Sequence, residues 1–389
     1  MSVIITVCIL LLFGYLFDLT SAKTKIPSVI LLLTLGWLVK QGVVFLGIQV
    51  PDLTALLPVL GTIGLILIVL EGSLELEFNK SKIKLIKKSF IIALLPMLAL
   101  GFLFAYLFHY FGYYSFKDSM ANAIPLCVIS SAIAIPSAKN LLKSDRTFVV
   151  YESSFSDILG VLFFNFIILN EFIDVQSLGH FAIQILIVAV VSFVATIGLS
   201  YLLSKIDHHI KFAPIIILVI LIYEVSKIYH LPALVFILLF GLFLNNLDEL
   251  KRFKWTHFFH PQELDEEVKK FKDLIVEATF LIRSVFFILF GYLIETSEVL
   301  NSETLLWACV IVAAIFSIRT VILLIYKFPL LPLLFVAPRG LITILLFLSI
   351  PAVQAISLVN KSLIVQVIIL TALIMMTGLI ITKTKPEPA

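Results

Sequence analysis

Two acids and three serines crowd into one short run, Tyr151-Glu152-Ser153-Ser154-Phe155-Ser156-Asp157, inside an otherwise apolar stretch from Phe148 to Leu169. A carboxylate at the centre of a membrane-spanning helix costs about 2.5 to 3.5 kcal/mol on insertion scales, and such groups mark ion pathways, proton relays or paired structural charges. Helical geometry separates the two acids: positions five apart point about 140° away from each other. Glu152 and Asp157 therefore face different neighbours. Ser153 stands four residues before Asp157 and shares its face, so a hydroxyl and a carboxylate can offer oxygens to one hard monovalent cation. The chemistry this run allows is reversible binding of a cation or a proton at Asp157.

The elements that must position these groups follow from composition. Of 389 residues, 61% are hydrophobic and 14% charged, with a mean hydropathy of +1.14. That lies outside the range of soluble globular chains, where roughly 25% are charged, and predicts an all-α polytopic membrane protein. A net charge of +3 is too small to argue for nucleic acid. Cys8, Cys127 and Cys309 fall in apolar segments without metal-ligand spacing, which supports neither a disulfide framework nor a zinc site, and no cofactor is expected. Apolar runs long enough to cross a bilayer as helices are read at 2–18, 27–46, 54–74, 89–109, 119–138, 148–169, 180–204, 212–229, 231–247, 274–295, 303–326, 330–350 and 362–382. No basic residue precedes the first apolar core, so it is read as a helix and not as a cleaved leader ending near Ala22.

Basic residues set the orientation, because cytoplasmic loops carry the excess. Loops after odd-numbered helices hold Lys23 and Lys25, the run Lys80 to Lys88, Lys139, Lys143 and Arg146, Lys205 and Lys211, the cluster between Lys251 and Lys272, Lys327, and Lys383 and Lys385. Loops after even-numbered helices offer Lys40, Lys117, Lys227 and Lys361. The amino terminus is thereby expected outside and the carboxyl terminus in the cytoplasm of a cell-membrane protein. Thirteen spans make two inverted six-helix repeats, helices 1 to 6 and 8 to 13. Transporters so built place the substrate site on helices interrupted at matching positions. Helix 5 carries Ser130-Ser131-Ala132-Ile133-Ala134-Ile135-Pro136-Ser137 and helix 12 carries Ala337-Pro338-Arg339-Gly340, so helices 5 and 12 are expected to be discontinuous. Arg283, Arg319 and Arg339 lie inside apolar spans and need partners. Arg339 at its break could offset the negative end of a half-helix or cover freed carbonyls. Arg283 is expected to pair structurally or to modulate the site, with Glu277, Glu71 and Glu224 as candidate partners.

Arg339-Gly340 followed by a helix ending in Ser349-Ile350-Pro351 resembles the monovalent cation:proton antiporter superfamily, in particular its sodium/proton exchanger branch. Glu152-Ser153-x-x-Ser156-Asp157 is similar to the family's Glu-Ser-x-x-Asn-Asp pattern, with Ser156 in place of Asn. Arg319 stands where family members carry an Arg that pairs with the helix-6 Glu, so Glu152 and Arg319 are expected to form a structural ion pair. Glu71-Gly72 and Glu224 are weaker echoes. The resemblance implies a homodimer, with a core of helices 4 to 6 and 11 to 13 moving against a scaffold of helices 1 to 3 and 7 to 10, in a single transmembrane domain over 1–389. Ala132-Ile133-Ala134 departs from the Thr-Asp-Pro of many sodium exchangers and is nearer to the potassium-efflux branch, which keeps potassium open beside sodium and lithium.

Charge counting gives the expected mechanism. If Asp157 holds either a proton or one monovalent cation, both occupied forms are neutral and the bare carboxylate crosses poorly. One-for-one electroneutral exchange of sodium for protons follows, with Ser131, Ser153, Ser156 and Glu71 as further candidate ligands; a titrating Glu71 would alter the count. A membrane-embedded enzyme would need a nucleophile, a metal cluster or a His near the acids, and a channel would need a repeated pore loop. The polar segment 248–273 reads as a cytoplasmic linker, with Gln262 to Lys272 a candidate amphipathic surface helix. His257 and His260 with Glu263 form only a loose metal-like or pH-sensing pattern, outweighed by the linker reading, and the His208-His209 pair is uninformative.

Overall fold

The computed structural model describes residues 3–24, 26–76, 82–170, 175–205, 212–229, 233–246 and 261–382. The basic loop at Lys80, His208-His209, the linker from Asp248 to His260 and the tail from Lys383 lie outside the described residues. Among the described residues every regular element is a helix. In chain order these are α1 (Val3–Thr24), α2 (Ser28–Phe45), α3 (Leu56–Glu75), α4 (Ile83–Gly112), α5 (Phe116–Cys127), α6 (Ser131–Ser137), α7 (Lys143–Leu169), α8 (Val175–Lys205) and α9 (Phe212–Ile228). They are followed by α10 (Ala233–Asn245), α11 (Pro261–Leu293), α12 (Thr296–Val299), α13 (Ser302–Ile325), α14 (Leu341–Leu348) and α15 (Lys361–Ile381). A helix pairs its backbone polar groups within the segment, which a bilayer interior demands. Several starts are written locally. Ser115 accepts from the Asp118 N–H at 3.0 Å, Asn301 from Glu303 at 3.0 Å, and Asn360 from Leu363 at 3.0 Å.

Among the described residues nine helices are long and apolar enough to cross a membrane, counting α5 and α6 as one span. The other four spans read from the sequence correspond to the apolar part of α1, to α9, to α10 and to the segment ending in α14. That last segment differs from expectation. Its first half is turns and extended chain, and only α14, eight residues long, is helical. The expected surface helix at Gln262 to Lys272 is also different, because it continues without interruption into the tenth span as the 33-residue α11. No Gly or Pro lies between Pro261 and Gly291 to stop it, and Pro261 occupies the first helical position, where proline is favoured.

The chain divides into two compact units, one of Met1–Gly64, Lys88–Gly160 and Leu281–Ala389, the other of Leu65–Lys87 and Val161–Phe280. Within the first, α5 and α6 are heavily enclosed: an 18-residue stretch of Phe116–Ser137 is 89% buried, against 22% for one of Phe181–Leu199 in α8. Irregular backbone at membrane depth is tolerated only where protein or a cavity surrounds it, and the interruption between α5 and α6 is placed accordingly.

Candidate functional site

The fifth span breaks at Val128 to Ser130, where Val128 (φ −80°, ψ 130°) and Ser130 (φ −79°, ψ 114°) are extended. This is ahead of Pro136, which sits inside α6. The break exposes the carbonyls that end α5 and the N–H groups that begin α6, none of which has an intrahelical partner.

Asp157 of α7 lies at the start of α6. The Ser131 backbone N–H donates to Asp157 Oδ2 at 3.2 Å, and the Ser131 hydroxyl donates to the same oxygen. Asp157 is 1% exposed, and its Oδ1 is buried with no hydrogen-bond partner among the described residues. Ser130 Oγ and Ser154 Oγ are also buried without a hydrogen-bond partner among the described residues. Ser153, one turn before Asp157, donates to the Val149 carbonyl at 2.7 Å, which leaves its oxygen lone pairs for another donor or a cation. Ser156 accepts the Ile129 N–H at 2.9 Å, so its hydroxyl holds the broken backbone. A buried carboxylate with one oxygen held by donors and the other given none by the described residues is an arrangement that can take a proton or a small cation.

The second interruption lies against the first. The Ser130 N–H donates to the Pro338 carbonyl at 2.9 Å. Arg339, 1% exposed, sends Nε to the Leu126 carbonyl at 2.9 Å, Nη2 to Cys127 at 3.1 Å and Nη1 to Ala337 at 2.9 Å. Its guanidinium therefore sits at the negative end of α5. Thr371 of α15 accepts the Arg339 backbone N–H at 3.1 Å. Gly340 allows the close approach: a Cβ there would come within 2.9 Å of Ser130 Oγ.

Glu152 and Arg319 meet in a bidentate pair, Nη1 to Oε1 at 2.6 Å and Nη2 to Oε2 at 2.9 Å, with both residues buried. Arg319 also donates from Nε and Nη2 to the Leu333 carbonyl, at 3.0 and 2.8 Å, in the turn before the second interruption. Arg283 sends Nη1 to the Ala132 carbonyl at 3.4 Å. Pro136, four residues beyond Ala132, has no N–H to give that carbonyl. The three arginines thus share one task, supplying donors to carbonyls in or beside irregular chain.

The structure brings together Asp157, Ser131 and Ser156 around the first break, Glu152 with Arg319, and Arg339 with the end of α5, while Ser153 bonds within its own helix one turn before Asp157. Glu71, on α3, belongs to the second compact unit and is half-buried; Glu224 and Glu277 belong to the same unit. Arg283 meets a different acid, Asp18 of α1, with Nη2 3.9 Å from Oδ1. Sequence reasoning missed Asp18, although an acid closing the apolar run of the first span was a visible signal. It also missed Asn122, fully buried in α5, which donates to the Asp118 and Gln354 carbonyls at 2.8 and 2.7 Å. Among the described residues no group of three or more His, Cys, Asp or Glu side chains is arranged to hold a metal.

The sequence model described as "Sodium/hydrogen exchanger, transmembrane" matches residues 7–383. The chain belongs to the sodium/hydrogen exchanger family. Its fold is similar to that of the sodium proton antiporter MjNhaP1 from Methanocaldococcus jannaschii. One structure of that protein, at pH 8, has a TM-score of 0.68 and 20% identity, covering 97% of this chain and 95% of that one. A second, obtained by electron microscopy, has a TM-score of 0.68 and 21% identity, covering 98% and 95%. No curated protein matches the chain. As a sodium/hydrogen exchanger this is an all-helical, multi-pass membrane protein of cation/proton antiport.

Proposed function

We propose that this exchanger swaps one monovalent cation, sodium in first place, for one proton at Asp157, by alternating access and without net movement of charge. The observation that carries the reading is Asp157 itself: a fully buried carboxylate, Oδ2 held by Ser131 and Oδ1 given no donor by the described residues. Leaving such a group ionised and empty is costly, so the protonated and cation-bound forms are the ones able to change access. Ser131 and Ser153 supply further oxygens, and Ser156 fixes the backbone beside them. Glu152, neutralised by Arg319, takes no part in the count. The core of helices 4 to 6 and 11 to 13 moves against the scaffold of helices 1 to 3 and 7 to 10. The protein works as a homodimer in the cell membrane, amino terminus outside and carboxyl terminus in the cytoplasm, as a transporter and not an enzyme. Potassium/proton exchange is the second reading, favoured by Ala132-Ile133-Ala134 at the break.

The test is dissipation of an imposed pH gradient in proteoliposomes by sodium, lithium or potassium, with the membrane potential clamped, for the parent and Asp157→Asn. Sodium should collapse the gradient in the parent and fail to do so in the variant. Transport by Asp157→Asn at the parent rate would sink the single-carboxylate mechanism, and a response to potassium alone would select the second reading.

A further inference from the structure

Asp18 joins two basic side chains in a row that runs from the surface toward the break. Lys139, after α6, is 51% exposed and lies 3.5 Å from Asp18 Oδ2; Asp18 is 21% exposed; Arg283, 10% exposed, lies 3.9 Å from Asp18 Oδ1. The far end of the row reaches the site, because Arg283 donates to the Ala132 carbonyl, and Ala132 follows the Ser131 whose N–H and hydroxyl hold Asp157. The packing of α1 fixes this placement. Gly14, one turn before Asp18 and on the same face, lies where a Cβ would come within 3.6 Å of Ser284, the residue after Arg283.

A fixed positive charge one residue from the carboxylate's hydrogen-bond donor repels any cation arriving there, and buried charges are weakly screened by salt. Arg283 nonetheless supplies a donor there, to an Ala132 carbonyl that lacks the helical N–H Pro136 cannot give. We propose that Asp18 is a positioning residue for the exchange reaction: its carboxylate, in ion-pair range of Arg283, offsets that charge so that the arginine covers the Ala132 carbonyl without lowering cation affinity at Asp157. This rests on the assignment of Asp157 as the exchange site.

The experiment is sodium-dependent proton flux in proteoliposomes, with initial rates measured against sodium concentration for the parent, Asp18→Asn, Asp18→Asn/Arg283→Gln and Arg283→Gln. Asp18→Asn should raise the KM for sodium about three- to tenfold and keep the maximal rate within about twofold of the parent, a split that a folding defect would not produce. The double variant should return KM toward the parent, since the uncompensated charge is gone. An unchanged KM in Asp18→Asn, or an equal rise in the single and double variants, overturns the proposal. If Asp18→Asn cannot be purified, Arg283→Gln alone reads the same coupling: KM should fall, and a rise overturns the idea. Failure of the exchange-site assignment shows separately, as activity surviving in Asp157→Asn.

Discussion

Ser130 donates its backbone N–H to the Pro338 carbonyl at 2.9 Å. Each interruption therefore supplies part of what the other lacks. Arg339, beside Pro338, gives donors back to the last carbonyls of α5, so the two breaks are braced in both directions. Precision at Asp157 depends on this bracing, since Ser131 is the first residue of α6 and its N–H points where the break directs it.

Arg339→Met should remove the donors to Leu126, Cys127 and Ala337 at once. An unsatisfied buried carbonyl costs about 1 to 3 kcal/mol, so the variant should lose most of its monodisperse fraction in detergent on mild heating. Arg339→Lys should recover little, because one ammonium cannot reproduce the spread of a guanidinium fork. Recovery by lysine to the parent melting temperature would show that charge alone holds the end of α5.

Glu152→Gln and Arg319→Met should each destabilise by about 3 to 5 kcal/mol, because each leaves an uncompensated buried charge. The double variant should be less damaged than the sum, read as its thermal midpoint in detergent. Arg319 has a further obligation to Leu333, so Arg319→Met should be the worse single change. Strict additivity of the two would mean that the pair has no coupling.

Lys40 contacts Glu295 at 2.5 Å, ahead of α12, and its hydrogen bond, with its charge behind that, holds the Glu295 carboxyl below the ordinary range. A depressed carboxylate contributes stability that is present above its unfolded value, about 4.3, and is lost as pH falls through the folded value. Glu295 is 60% exposed, so the contribution is below about 1 kcal/mol. Lys40→Met should lower the melting temperature slightly at pH 7, and the gap to the parent should close in more acidic buffer. A gap that widens on acidification would assign the effect to another contact, such as the Lys40 donation to the Ile294 carbonyl at 3.3 Å.

Much of this arrangement was legible in the order of residues. Acids and arginines in apolar runs stand out against a background that excludes them, which is why Asp157, Glu152, Arg319 and Arg339 could be named before any geometry was known. The partners of the arginines were harder. A carbonyl carries no side-chain signature, so Leu126, Cys127, Ala132 and Leu333 as acceptors were invisible in the sequence, and the acid beside Arg283, Asp18, was not among the candidates read for it. The candidate break was read across Ser130 to Ser137, whereas the chain leaves the helix at Val128 to Ser130 and tolerates Pro136 inside α6. The length of α11 was hidden by composition: charge in its first third looked like linker, although nothing there interrupts a helix.

The bonds from Arg339 to Leu126 and Cys127 span 213 and 212 residues of chain. During synthesis the end of α5 leaves the ribosome well before its donors exist. At about 5 to 20 residues per second, those carbonyls wait roughly 10 to 40 s for Arg339 to be made. The broken fifth span must therefore enter the bilayer in a provisional form, paired with water, lipid headgroups or the insertion machinery. Biogenesis of this exchanger thus has a late closing event, and a chain truncated before Arg339 would keep the spans up to α13 while lacking α14, α15 and the donors that close the end of α5.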